Sequence, residues 1–313
     1  MRLGILIGLA VLALGFEIAN PNFLTPRNLT NLILQIAAMG TISIGLTLVL
    51  LLGEIDLSAG AVSGLGAAIT AVLNVRFGVS APLALLAGVA CGAAIGAFQG
   101  AWVTRLGVPS FVVTLAGLLA WQGVLLAVLG PTGSLNLDDP LLLGLMNQFI
   151  PFPFDRGLPV ALLVLLALLA GFDFLVRRTR FGRHLLAIGG NADAARRAGI
   201  HVQRIRIAVF ALCSALAAFG GILAASLLRA VNQSSGSGDV LLNAIAAAVI
   251  GGTSLFGGRG SVWSALLGAL VIGAVSNGMD LLGFASPVKL MVTGAVLLLS
   301  VTVDAAARRQ TAR

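Results

Sequence analysis

The stretch LTNLILQIAAMGTISIGLTLVLLL, residues 29–52, runs 24 residues without a charged side chain. A helix needs roughly 20 predominantly apolar residues to cross a bilayer. Nothing that long and uncharged is required inside a water-soluble domain, so this segment predicts a transmembrane helix. Nine more runs of the same kind follow from the same test: 2–19, 58–75, 81–103, 108–130, 157–176, 207–228, 240–256, 261–281 and 287–304. Each is bounded by charge, Pro or Gly-rich punctuation. The expected fold is therefore all-α, a single polytopic membrane domain over 1–313 with about ten transmembrane helices. The run 240–256 is the shortest, and reads as tilted or re-entrant.

Totals agree with this reading. The chain is 58% hydrophobic and only 10% charged, with a mean hydropathy of +1.06. A soluble domain carries roughly 25% charged residues to wet its surface. Forty glycines in 313 residues suit helices that pack backbone to backbone in lipid. Arg2 and the apolar run behind it look like the start of a signal peptide, but Glu17 stands where a small-residue cleavage site belongs, so a retained first helix is expected.

The net charge of +8 does not point to nucleic acid, because the basic residues are not gathered on a soluble face. Eight arginines lie between 177 and 206, and Arg308, Arg309 and Arg313 close the chain. Basic residues mark cytoplasmic segments. Ten crossings from an inside N-terminus place fourteen of the nineteen basic residues inside, and leave 131–156, with Asp138, Asp139 and Asp155 against Arg156, outside. The expected topology is N-in/C-in. The parity permits two inverted halves of five helices, although no internal repeat is visible.

Cys91 and Cys213 sit inside apolar runs, and the two histidines, His184 and His201, share one loop. No metal site or Ser/His/Asp constellation can be assembled from them, so no catalytic chemistry is expected. A phosphate-binding loop needs a Gly-Lys-Ser/Thr ending, which the chain lacks, so no nucleotide site of that kind is expected here.

Polar groups at membrane depth call for a reason. The stretch GEIDLSAG, 53–60, breaks the pattern between two apolar runs, and Asp56 or Ser58 can cap the helix that follows. It reads either as a capped turn or as a gate contacting a transported solute. A second break, GGTSLFGGRG at 251–260, contains Thr253 and Ser254. Gln35, Gln99, Thr114, Gln122, Asn243 and Asn277, with Asp280 a turn beyond, are scattered through the spans. They fit hydrogen bonds between helices or a path for a neutral, hydroxyl-rich solute. An ion channel would show charged rings, and a proton-coupled secondary transporter would bury several carboxylates. The loop 177–206 contains NADAARRAG at 191–199: Asn191 as N-cap, Asp193 in the first turn, Ala195, then Arg196 and Arg197 in the last turn, and Gly199 just past the end. Such a helix suits either an anionic lipid surface or a groove on a soluble partner.

Several stretches together resemble a known family. They are NLILQ at 31–35, GLTLVLLLGEIDLS at 45–58, VPSFVVTL at 108–115, FGRHLLAIGGNADAARRAGI at 181–200 and AIAAAVIGGTSL at 244–255. Over roughly 28–304 the chain is similar to the permease subunits of bacterial ABC importers for ribose, xylose and related monosaccharides. Asn277–Asp280 and the ending from Lys289 to Asp304 look most like xylose permeases. The resemblance implies a pair of permease copies, a cytoplasmic ABC ATPase that holds the ATP and Mg, and a periplasmic sugar-binding protein. It makes 191–199 the coupling helix that docks into the ATPase, and implies alternating access driven from there. A nucleoside, an autoinducer or a branched-chain amino acid would be carried on the same architecture. The family usually has Gly where Glu54 stands and Val where Ala59 stands, so no solute contact is carried over to Glu54.

Overall fold

The structure, a computed structural model, describes residues 2–151 and 157–311; Met1, Asp155, Arg156 and Arg313 lie outside the described residues. Thirteen helices account for most of the described residues. In chain order they are α1 (Arg2–Ala19), α2 (Pro26–Leu51), α3 (Ala59–Ala71, continued by a π turn to Arg76), α4 (Ala81–Leu106), α5 (Ser110–Leu129), α6 (Pro140–Asn147), α7 (Val160–Arg178), α8 (Arg180–Gly190), α9 (Ala192–Arg197), α10 (Val202–Leu228), α11 (Gly238–Ile250), α12 (Val262–Leu281) and α13 (Ser286–Thr311).

Seven of these, α2 to α5, α7, α10 and α12, are long and apolar enough to cross a bilayer. Helix α11 is not. Its 13 residues span about 20 Å at 1.5 Å per residue, against a hydrocarbon core of about 30 Å. Among the described residues the count is thus seven, with α1 and α11 as shorter apolar helices, and the expected count of about ten is not reproduced. The chain still travels from the far end of α10 to the end of α2, where the Gly258 N–H donates to the Leu51 carbonyl at 3.0 Å. Part of that journey is made by a loop.

The bundle is organised on α2 and α10. Helix α2 starts cleanly, with Thr25 as N-cap accepting from the Asn28 N–H and Pro26 at the first turn, where no amide partner is needed. It is then buried along almost its whole length, from Ile36 to Leu52 in particular. Helix α10 packs against α4 through a row of small residues on α4. A Cβ on Gly96 would stand 2.1 Å from the Phe210 carbonyl oxygen, and one on Gly92 2.6 Å from that of Ser214. With no hydrophobic drive between helices in lipid, this close backbone approach supplies the packing energy.

The outward faces of α4, α5 and α7 are apolar and uncovered: Leu83, Leu86, Phe98, Trp102, Leu119 and Phe174 are all exposed. In water such a surface is untenable; against lipid tails it costs nothing. At the end of the bundle away from the arginine-rich loop, the chain adds structure that the apolar runs did not predict. Helix α6 is capped by Asp139, whose Oδ1 accepts from the N–H groups of Leu141 and Leu142. Strand β1 (Ser134–Asn136) pairs antiparallel with β4 (Ala230–Asn232), Leu135 opposite Val231, and β2 (Phe149–Ile150) pairs with β3 (Leu158–Pro159).

Candidate functional site

Along the seam of α2, α10, α11 and α12 runs a crevice made of adjoining hollows. One, of about 440 Å³, is lined by Asn28, Asn31, Gln35, Leu228, Asn277 and Asp280. The next, about 220 Å³, shares Gln35 and Leu228 and adds Met39, Ile42 and Asn243. Gln35 and Asn243 thus face one space, although they are more than 200 residues apart in sequence. Asn277 reaches the crevice as part of a buried pair: the Asn28 side-chain N–H donates to its carbonyl oxygen at 2.7 Å, and its own N–H returns the bond at 3.0 Å. Asp280 is neutralised by an ion pair with Lys289. Most of the lining is apolar; its polar part is neutral amides and one carboxylate, which is paired.

The break between α2 and α3 lies elsewhere, against α4, α5 and α10. Gly53 turns with φ +76°. The Ile55 N–H donates to Ser110 Oγ at 3.3 Å, and the Thr114 hydroxyl, which donates to the Ser110 carbonyl at 2.8 Å, lies 3.3 Å from the Ile55 carbonyl, so the start of α5 packs its hydroxyls on the interrupted backbone. Asp56, 1% exposed, accepts from the Ser58 N–H at 2.8 Å and from the Ser58 hydroxyl at 2.6 Å. With its one proton so directed, Ser58 Oγ lies 2.9 Å from the side-chain amide of Gln99, itself buried. Glu54 is not free to meet a solute, for Arg206 of α10 holds it at 3.0 Å. Asp56 therefore organises the start of α3 from inside, as a turn-forming acceptor. Ser58 makes no capping bond of its own.

Helices α8 and α9 form a raft on the same end of the bundle. Helix α8 starts on Thr179, whose hydroxyl accepts from the Gly182 N–H, and buries Leu185 and Ile188. It sits so close to α2 that a Cβ on Gly189 would stand 1.8 Å from the Leu51 carbonyl oxygen. Helix α9 is capped by Asn191, whose Oδ1 accepts from the N–H groups of Asp193 and Ala194. It ends where Gly199 turns left-handed at φ +81°, with the Ile200 N–H returned to the Ala195 carbonyl. Asp193 and Arg196 pair across one turn at 3.0 Å on the exposed face, and Arg197 is exposed beside them.

The structure divides the expected site residues into three places. Gln35, Asn243 and Asn277 share the crevice; Asp56 and Ser58 hold the break; Thr253 and Ser254 are buried in the glycine loop that packs on Leu51 and Gly53. They do not line one continuous path. Ala195, expected among the residues of the coupling helix, does not belong to its exposed face. It is 4% exposed and packs inward, because Asn191 fixes the helix with this face toward the bundle. Gln122 also has a structural partner, the Gln233 carbonyl at 2.8 Å. Sequence reasoning missed Asn28 and Arg206 as partners, because pairs so distant in sequence carry no local pattern.

The chain matches the family described as branched-chain amino acid transport system / permease component over residues 28–301. It is 35% identical to the xylose transport system permease protein XylH of Escherichia coli (strain K12), over 92% of this chain and 87% of that protein. It is 36% identical to the ribose import permease protein RbsC of the same strain, over 96% and 92%. With RbsC of Bacillus subtilis (strain 168) it shares 37%, over 97% and 92%. No solved structure matches the chain. Multi-pass, helical, and aligned with these permeases over nearly its whole length, the chain belongs to the branched-chain amino acid transport system permease family, as an ABC-type permease subunit of the inner membrane.

Proposed function

We propose that the chain moves a monosaccharide, most naturally a pentose such as xylose or ribose, inward across the membrane by alternating access. The observation that carries this reading is the crevice where Gln35, Asn243 and the Asn28–Asn277 pair bring neutral amides together along an otherwise apolar wall. A sugar presents hydroxyls that such groups can bond without any net charge to compensate. The named relatives import xylose and ribose, which supports the same choice.

Work enters through the raft. In this reading the arginine-rich end faces the cytoplasm, a partner ATPase holds ATP and Mg, and its closure pushes on α9 through Asp193, Arg196 and Arg197 while Asn191 and Gly199 fix the helix ends. Helix α8, seated on Leu51, passes the push to α2 and to the break at Asp56 and Ser58. A second copy of the permease completes the path, and a periplasmic sugar-binding protein delivers the solute. Rocking of packed helices about such a seam is an established route to alternating access.

Reconstitution tests this. Proteoliposomes holding the permease, its ATPase and the binding protein are expected to accumulate labelled pentose only when ATP is inside the ATPase compartment. Accumulation on an ion gradient with no ATPase would overturn the reading. Uptake of leucine in place of pentose would keep the architecture and change the cargo.

A further inference from the structure

Helix α11 begins in the middle of the bundle rather than at its end. Helix α10 terminates on Arg229, a non-glycine residue at φ +56°, and the chain reverses into β4. Residues 233–237 then descend between α3, α5 and α10. The Gln122 side chain of α5 donates to the Gln233 carbonyl at 2.8 Å. The loop backbone lies flush on α3: a Cβ on Gly64 would stand 2.0 Å from the Ser235 carbonyl oxygen, and one on Gly236 2.1 Å from that of Gly60. Ile42 of α2 lines the same space. It lies nine residues before Leu51, about 14 Å along the helix, which is half of a hydrocarbon core of about 30 Å.

From that depth toward the β1–β4 end the loop lines an open hollow of about 310 Å³, within the size range of small-molecule sites, with Asn232, Ser234 and Asp239 exposed in it. Its polar lining is Ser63, Asn232, Ser234, Ser235, Ser237 and Asp239. No side chain caps α11, because the Ser237 hydroxyl is bonded to Asp239 Oδ1 at 2.8 Å instead. Among the described residues, neither the Ser234 hydroxyl nor the Asn232 side-chain N–H makes a hydrogen bond. Irregular backbone at membrane depth is tolerated where it lines a cavity that satisfies it. Discontinuous helices meeting near the midplane are where transporters hold their cargo.

We propose that this cavity is a binding station for a neutral polyhydroxylated solute, bonded by Asn232, Ser234, Ser237 and the uncapped first turn of α11. The lining contains one carboxylate and no basic side chain, so an anion drawn by the helix terminus meets Asp239. Hydroxyl groups, which both donate and accept, match a ring of serines and an amide. The inference rests on the monosaccharide reading and assigns that solute a place in the chain. The serine station adjoins the amide crevice, since both are lined by Ile42, Ala224, Leu228 and Val240.

The test uses the assembled transporter, with its ATPase and binding protein, in proteoliposomes. Ser234→Cys and Asn232→Cys, each in a Cys91→Ala background, are labelled from the binding-protein side with a charged thiosulfonate, with and without saturating xylose or ribose. Expected is ready labelling without sugar and at least five-fold slower labelling with it, while Ser80→Cys, exposed just before α4 and outside the hollow, is not protected. Unprotected or unreactive cysteines at 232 and 234, in an assembly whose unmodified form takes up pentose, overturn the station and leave the importer reading standing. Protection by leucine but not by pentose overturns the ligand class. An unmodified assembly that shows no ATP-driven pentose uptake fails the importer reading itself, and the station with it.

Discussion

The ion pair between Glu54 and Arg206 joins the break after α2 to the first turns of α10, just past the raft. At 3.0 Å and an effective dielectric of about 20, the attraction alone is about 5–6 kcal/mol. The side chains are 14% and 24% exposed, so desolvation cancels most of that. Exposed pairs contribute about 0–1 kcal/mol, and orphaning one member of a fully buried pair costs about 3–5. For Glu54→Gln or Arg206→Gln alone, the expected cost lies between, at about 2 kcal/mol. That is roughly a thirty-fold shift in the folded-to-unfolded ratio. The double variant, which leaves no stranded charge, is expected to lose less than the sum of the two singles by about 1–2 kcal/mol. Thermal unfolding of the purified permease in detergent, run as the full four-member cycle, reads this out. The reversed pair, Glu54→Arg with Arg206→Glu, should recover part of the loss. If the two single effects simply add, the pair has no energetic meaning and the reasoning fails. If stability behaves as expected while ATP-driven uptake is unchanged in all variants, the pair is a brace with no part in transmission.

Three further outcomes follow from the same geometry. Gly221→Ala puts a Cβ 1.9 Å from the Ser63 carbonyl oxygen, so it should lower the yield of monodisperse permease by overpacking of about 3 kcal/mol or more, whereas Gly171→Ala, with nothing within 4 Å, should leave size-exclusion behaviour unchanged. Asn277→Leu leaves Asn28 Oδ1 and one of its side-chain N–H groups unpaired, the other still bonded to the Phe23 carbonyl, and should cost about 1–3 kcal/mol in thermal stability; pairing it with Asn28→Leu should return part of that, and a fully additive double would refute the pair as a unit. Arg196→Glu, on the exposed face of α9, should abolish co-purification with the ATPase at an unchanged unfolding midpoint, while Ala195→Glu should lower the midpoint because it buries a charge; retention of the ATPase by Arg196→Glu would refute the coupling role.

The apolar runs were legible because the bilayer sets one length, and any segment long and uncharged enough meets it. The starts of α2, α4 and α5 agree with the sequence reading to within about three residues, since Pro, Ser and Thr mark them locally. The ends of α9 were legible for the same reason: Asn191 and Gly199 act on backbone groups two or three residues away. At 240–256 the reading stopped at the shortness of the run. Whether a short apolar segment is tilted, fully spanning or re-entrant depends on what the preceding loop can pack against, and here that is the glycine face of α3.

The sequence by itself determined the solvent, the helical class, the unequal distribution of charge and the local caps, all of which depend on composition or on neighbours a few residues apart. Only the tertiary structure decided that Gln35 and Asn243 share a crevice, that Asn28 meets Asn277, that Arg206 holds Glu54, that Ala195 faces inward, and that residues 232–239 line a hollow that reaches Ile42. Those facts turn on helix rotation and on contacts far apart in sequence. An amide or a hydroxyl looks the same in the chain whether it faces lipid, a neighbouring helix or the path of a solute.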